Sequence, residues 1–290
     1  FRVPEVFDYT RVLVGVPRDS PPANGPRQAH QAFVADFVAG LCERTGGRAL
    51  VLFTSLEDVR AVGQALEARL LARGLLLLYQ GMPHQTKEEL SRRFRERRDS
   101  VLLGVDTFWF GADFPGDTLE YLVIARLPYG VPDRYHFAQC ATLGDVPQRQ
   151  KIYMPRALAK FRQGFGRLMR RKEDRGCVFV LDQRILEPRH RAFLRELPLA
   201  GLSGEYGSDS AGAQFVRGPR ERVLREALAH MGLLQITEQH GLDLATWQQQ
   251  PTAPSTQAGV ITPQEPPERA PREARNPPPR IEIDPSDLPY

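Results

Sequence analysis

Six short apolar runs punctuate the first two hundred residues, at 11–16, 48–53, 75–79, 100–103, 119–125 and 177–181. Most are nearly continuous in Val, Leu, Ile and Phe, the pattern of a strand buried on both faces. Between them lie stretches whose apolar positions return every three or four residues. These predict helices over 27–44, 56–73 and 85–98, another starting at Pro155, and a short one within 187–197. Phe33, Phe37, Val38 and Leu41 share one face of the first helix, and Thr45-Gly46-Gly47 stops it. Leu90 and Phe94 share a face of the third, whose arginines read as a solvated surface. Buried strands alternating with amphipathic helices predict an α/β fold on a doubly wound, mostly parallel sheet.

The pattern changes beyond Leu197. Residues 1–200 read as the α/β lobe, and 201–250 as a linker plus a short helical extension. In that extension the Gly/Ser-rich 201–212 leads to an amphipathic helix from Pro219 to Met231, with Val223, Leu224, Leu228 and Met231 inward, and to a second short helix near 242–248. Residues 251–290 are dominated by Pro, Glu, Arg and Gln and are predicted to form a disordered tail.

The 41% hydrophobic and 26% charged content is that of a soluble globular protein, and no apolar run nears the length of a membrane helix. The net charge of +4 is compatible with a polyanionic partner without requiring one. Cys42, Cys140 and Cys177 stand far apart with no C-x-x-C pair. Neither a disulfide framework nor a zinc site is expected, and the simplest setting is reducing and cytoplasmic. A chain opening on Phe1 reads as a piece of something longer.

Three stretches carry chemistry. In the stretch from 155 to 185, Leu158, Phe161, Phe165, Leu168 and Met169 gather on one side of a helical wheel, and Gln163, Arg167 and Arg170 roughly opposite. Gly164 and Gly166 read as mid-helix glycines, each costing about 1 kcal/mol against Ala. That cost implies a backbone that something approaches closely. Thr54-Ser55 closes the second strand, where a hydroxyl pair can cap the next helix or meet a ligand. The third stretch, 100–116, runs from a strand into a loop bearing Thr107, two exposed-looking aromatics, Phe108 and Trp109, and Gly111-Ala-Asp113.

Together these strings resemble the second lobe of the DinG and XPD branch of superfamily 2 helicases. Gln163-x-x-Gly166-Arg167-x-x-Arg170 resembles motif VI, and Leu50 to Ser55 resembles motif IV. Gly104, Thr107, Phe108, Trp109, Gly111 and Asp113 resemble motif V, while Val105 and Phe110 depart from its usual Thr and Glu. Gln80-Gly81 and Arg126-Leu-Pro-Tyr129 fit the pattern too.

The resemblance implies a RecA-like fold, of the P-loop NTPase type, and half of a DNA-unwinding motor. ATP and Mg2+ would be held mainly by a separate N-terminal RecA-like lobe carrying Walker A and B, and Arg167, Arg170 and Gln163 would serve catalysis. Gly111, Asp113 and Gly166 would line the nucleotide, while Thr54, Ser55, Gln80, Thr107 and Trp109 would hold single-stranded DNA. The physical warrant for the arginines is a permanently charged fork that fits phosphate oxygens. The sequence itself contains no G-x-x-x-x-G-K-[ST] loop, no Asp-Glu-x-His box and no cysteine set for an iron–sulfur cluster. Alone, therefore, the chain is expected not to hydrolyse ATP. A motor-inactive nucleic-acid or protein-binding accessory module is the competing reading, prompted by Val105 and Phe110.

Overall fold

The structure is a computed structural model, and it describes residues 7–83, 85–109, 114, 118–130, 153–199 and 212–234. Seven strands form one sheet: β1 (Val12–Pro17), β2 (Ala49–Leu52), β3 (Leu76–Tyr79), β4 (Ser100–Gly104), β5 (Tyr121–Ile124), β6 (Gly176–Val180) and β7 (Gln214–Gly218), in the order β3-β4-β2-β5-β6-β1-β7. Every pairing among them is parallel. The helices are α1 (Arg27–Thr45), α2 (Leu56–Leu71), α3 (Lys87–Glu96), α4 (Asp106–Trp109), α5 (Met154–Phe165), α6 (Ala192–Arg195) and α7 (Arg220–His230).

The side-chain period of two sorts the strands into two buried faces. Val12, Val14, Leu50, Leu52, Leu102, Leu122, Ile124, Val178 and Val180 meet α3, α4, α5 and α6. Leu13, Val51, Val101, Leu103, Val123, Cys177 and Phe179 meet α1, α2 and α7. This is the doubly wound α/β architecture read from the sequence, here entirely parallel.

Helix ends follow local chemistry. Gly46, at φ 76°, closes α1 in the left-handed region, and its N–H reaches the carbonyl of Cys42. Thr86 caps α3 by accepting a 3.2 Å bond from the N–H of Glu89.

Two expectations are corrected. Residues 214–218, placed in a linker and extension, are instead the seventh strand, paired with β1. The helix after it does form, with Val223, Leu224, Leu228 and Met231 buried as expected. The second correction concerns α5, which ends at Phe165, so Gly166 stands at its end rather than in its middle. The Gly/Ser-rich linker, the second short helix and the Pro-rich tail lie largely or wholly outside the described residues. Among the described residues, no helix is long and apolar enough to cross a membrane. Cys42 and Cys177 are buried and free.

Candidate nucleotide and nucleic-acid interface

Because the strands are parallel, their carboxyl ends share one edge of the sheet, where open α/β sheets bind ligands. Thr54-Ser55 follows β2 there, Gln80 follows β3, residues 105–109 follow β4, and Arg126 to Tyr129 follow β5.

Ser55 takes the N-cap position of α2 but makes no capping bond with its side chain. Its Oγ instead accepts from Arg27 Nη2 at 2.7 Å. Arg27 is fixed in turn by Glu57 at 2.6 Å and Asp58 at 2.7 Å. Thr54 is half-buried beside it. Gln80 has an internal duty: its Oε1 accepts from the N–H of Val105 at 3.0 Å, and its own N–H reaches the Leu103 carbonyl at 3.0 Å. The end of β3 is thereby clamped to the turn after β4. The donor is the backbone N–H, so the absence of a hydroxyl on Val105 leaves the clamp intact.

The turn after β4 is compact. Gly104 must be glycine, because a Cβ there would lie 2.1 Å from the Phe108 ring. The expectation of exposed aromatics is corrected, since Phe108 and Trp109 are both 0% exposed. Trp109 therefore has no face to offer a base. Thr107 lies on α4 with its side chain outside the described residues, as are Phe110, Gly111 and Asp113 altogether.

Trp109 does something else. Its Nε1 donates to the Phe53 carbonyl at the end of β2, at 2.9 Å. Its ring lies against Gly164 of α5, where a Cβ would sit 2.7 Å from two ring carbons. Lys160 Nζ stands over the ring at 5.3 Å, and the Trp109 carbonyl accepts from Arg167 Nε at 3.2 Å. One buried indole thus joins the three stretches picked out from the sequence. The close approach that Gly164 implied is to this ring. Gly166 shows no comparable approach, its nearest neighbour to a Cβ being a carbonyl at 3.4 Å.

Past α5 the chain winds through a turn that keeps Leu168 and Met169 buried while Gln163 and Arg170 stay exposed and Arg167 half-buried. The polar and apolar sides separate as the wheel predicted, although the helix stops short of the arginines. Asp174 holds this turn. Its buried carboxylate accepts from the backbone N–H groups of Arg170 and Arg171, both at 2.7 Å. Sequence reasoning passed over Asp174, although an Asp shortly after a helix end is a common partner for loose N–H groups.

A second anchor was missed at the ends of β5 and β6. Asp182, also buried, accepts from the N–H of Leu127 at 3.0 Å and pairs with Arg184 at 2.6 Å. Burial pushes its carboxyl up, but the Arg184 bonds and the backbone N–H groups outweigh it and hold the carboxyl below its ordinary range. Tyr129 and His190 share a 2.6 Å hydrogen bond. Burial raises the Tyr129 phenol to about 12. His190 is lowered by burial first and by Arg184 second. No group of metal-ligating side chains occurs among the described residues.

The arrangement is a RecA-like α/β lobe, with its arginine turn tied to the carboxyl edge of the sheet. A family model described as the helicase C-terminal domain matches residues 38–199. The chain belongs to that family, as a C-terminal lobe of the DinG and XPD branch. It is 33% identical over 228 residues to the 3'-5' exonuclease DinG of Bacillus subtilis (strain 168), covering 76% of this chain and 24% of that protein. It is 32% identical over 204 residues to the ATP-dependent DNA helicase YoaA of Escherichia coli (strain K12), covering 68% of this chain and 31% of that one. The chain thus spans between about a quarter and a third of these relatives. Among solved structures, an XPD helicase shares the fold at a TM-score of 0.50 and 19% identity, over 63% of this chain and 33% of that one.

Proposed function

We propose that this chain is the second motor lobe of an ATP-dependent DNA helicase, working against a first lobe that carries the phosphate loop. The observation that carries the reading is the Trp109 junction. The end of β2 and α5 meet the buried indole of Trp109, and the arginine turn bonds the main-chain carbonyl of the same residue, so a displacement of one of them bears on the others through this residue. That linkage is what a motor needs to connect a nucleotide to a grip.

In the whole enzyme ATP with Mg2+ would supply the phosphoanhydride whose cleavage drives the cycle. This chain's share is charge and position. Arg167 and Arg170, at the turn braced by Asp174, would place two guanidiniums toward the triphosphate, with Gln163 beside them. Gly111, Asp113 and Gly166 would border the nucleotide. Thr54 and Thr107 would hold the phosphates of single-stranded DNA, a grip that is electrostatic and indifferent to sequence. Since Ser55 and Gln80 already carry internal bonds, their share is to shape the edge; Trp109 keeps the three parts in register.

The competing reading, a nucleic-acid or protein-binding module without motor action, draws on Val105 and Phe110, which replace the Thr and Glu usual in motif V. The two part on one experiment. In the enzyme with both lobes, Arg167→Ala and Arg170→Ala should each lower DNA-stimulated ATP turnover by roughly three to five decades. Turnover within about threefold of the unaltered enzyme would remove these residues from catalysis.

A further inference from the structure

β7 is the last strand of the sheet. Beside it, a cavity of about 320 Å3 is lined by Leu186, Leu194, Phe215, Arg191, Arg195 and Arg217. The three apolar side chains are only partly buried against the core, and the three arginines are exposed. Among the described residues, none of these guanidiniums has an ion pair or side-chain hydrogen bond. Their neighbours differ: Arg162, Arg184 and Arg189 are paired with Glu196, Asp182 and Glu187. Arg191 and Arg195 stand four residues apart, on one side of α6, where like charges repel. The molecule therefore gathers three uncompensated cations around an apolar hollow.

The strand itself is the second observation. Among the described residues, the one further bridge near it joins Leu199 to Ala213, just ahead of β7. Among the described residues, no other segment pairs with the outer edge of Gln214–Gly218, whose backbone donors and acceptors can take another strand.

We propose that this groove docks an extended acidic peptide of a partner protein, laid along β7, in which carboxylates alternate with branched aliphatic residues. The two-residue period of a strand would turn alternate side chains the same way. The aliphatic ones fill the hollow between Leu186, Leu194 and Phe215. Carboxylates fork onto the guanidiniums, a match that fits Arg better than Lys. A nucleic-acid strand fits less well, because base stacking needs open aromatic faces. Two leucines form part of this lining, and Phe215 leans on the core.

Fluorescence anisotropy of the full 290-residue chain tests the proposal without reference to ATP or unwinding. The probes are labelled octapeptides alternating Glu with Ile, Glu with Ser, and Lys with Ile, and oligo(dT) serves as competitor. Saturable binding is expected for the Glu–Ile peptide alone. The R191E/R195E/R217E variant should weaken that binding at least roughly tenfold and gain affinity for the Lys–Ile peptide. If the triple variant melts differently from the parent, Arg217→Ala alone, on the exposed strand, should still weaken Glu–Ile binding by about threefold. Equal binding of the Glu–Ser peptide, indifference to the arginine substitutions, or displacement by oligo(dT) would each overturn the proposal.

Discussion

Trp109 is the residue on which the site turns, and its neighbour Gly164 shows how tightly. Alanine at 164 would gain about 1 kcal/mol in helix propensity over glycine. Its Cβ, however, would fall 2.7 Å from two carbons of an indole that is 0% exposed and already bonded to the Phe53 carbonyl. Overpacking of this kind costs about 1–3 kcal/mol, so the clash outweighs the propensity. Gly164→Ala is expected to lower the urea midpoint at unchanged slope and to shift tryptophan fluorescence; a stabilised variant would mean the ring is not wedged. The glycine was legible in the sequence as a point of close approach, but its partner was not. A four-residue helix is too short to show a period, so nothing in 106–109 distinguishes an inward indole from an exposed one. Asp174 and Asp182 escaped for a related reason, because each ties the chain through backbone N–H groups, which a side-chain pattern does not reveal.

At the scale of elements, six strands announced themselves because their sequences are almost wholly apolar, five of them buried throughout and β3 in part. β7 did not. It lies at the sheet edge, reads Gln-Phe-Val-Arg-Gly with its first and fourth residues exposed, and runs into Pro219. Such a strand is held by its place beside β1 more than by its own composition. The same contrast hid the end of α5, whose apolar spacing continues through Leu168 and Met169 although the helix stops at Phe165.

The seventh strand carries a consequence for stability. Val216, Val223, Leu224, Ala227, Leu228 and Met231 are all buried in the lobe, and Val223 meets the backbone of Gly15 so closely that a Cβ there would lie 2.5 Å from it. At about 1.5–3 kcal/mol for each large apolar side chain, their loss rivals the whole stability of a typical domain. A chain ending at residue 199 should therefore show no cooperative thermal transition, whereas one ending at 234 should unfold cooperatively like the full chain. A well-folded 1–199 fragment would restore the boundary near residue 200 that the sequence alone implied.

At the scale of the folded lobe, two histidines among the described residues set a pH response. His30 is lowered by burial and then by Arg126, and His190 by burial and then by Arg184. Each binds its proton less readily folded than unfolded. Their contribution is complete above the unfolded value of about 6.5 and is lost as pH falls from there toward the folded values. Asp58 and Asp182 are both held low, so their contribution is lost only below about pH 4. The urea midpoint should drop between pH 7.5 and 5.5, and the double substitution His30→Gln and His190→Gln should reduce that drop. An equal drop in both proteins would assign the response elsewhere.

The central claim is that this lobe is half of a motor. It is tested most directly by measuring ATP hydrolysis, with and without single-stranded DNA, first by this chain and then by the chain joined to a first lobe with an intact phosphate loop. No turnover is expected from the chain alone, and DNA-stimulated turnover from the joined protein. Turnover by the isolated chain, or none by the joined protein while it still binds ATP and DNA, would contradict it.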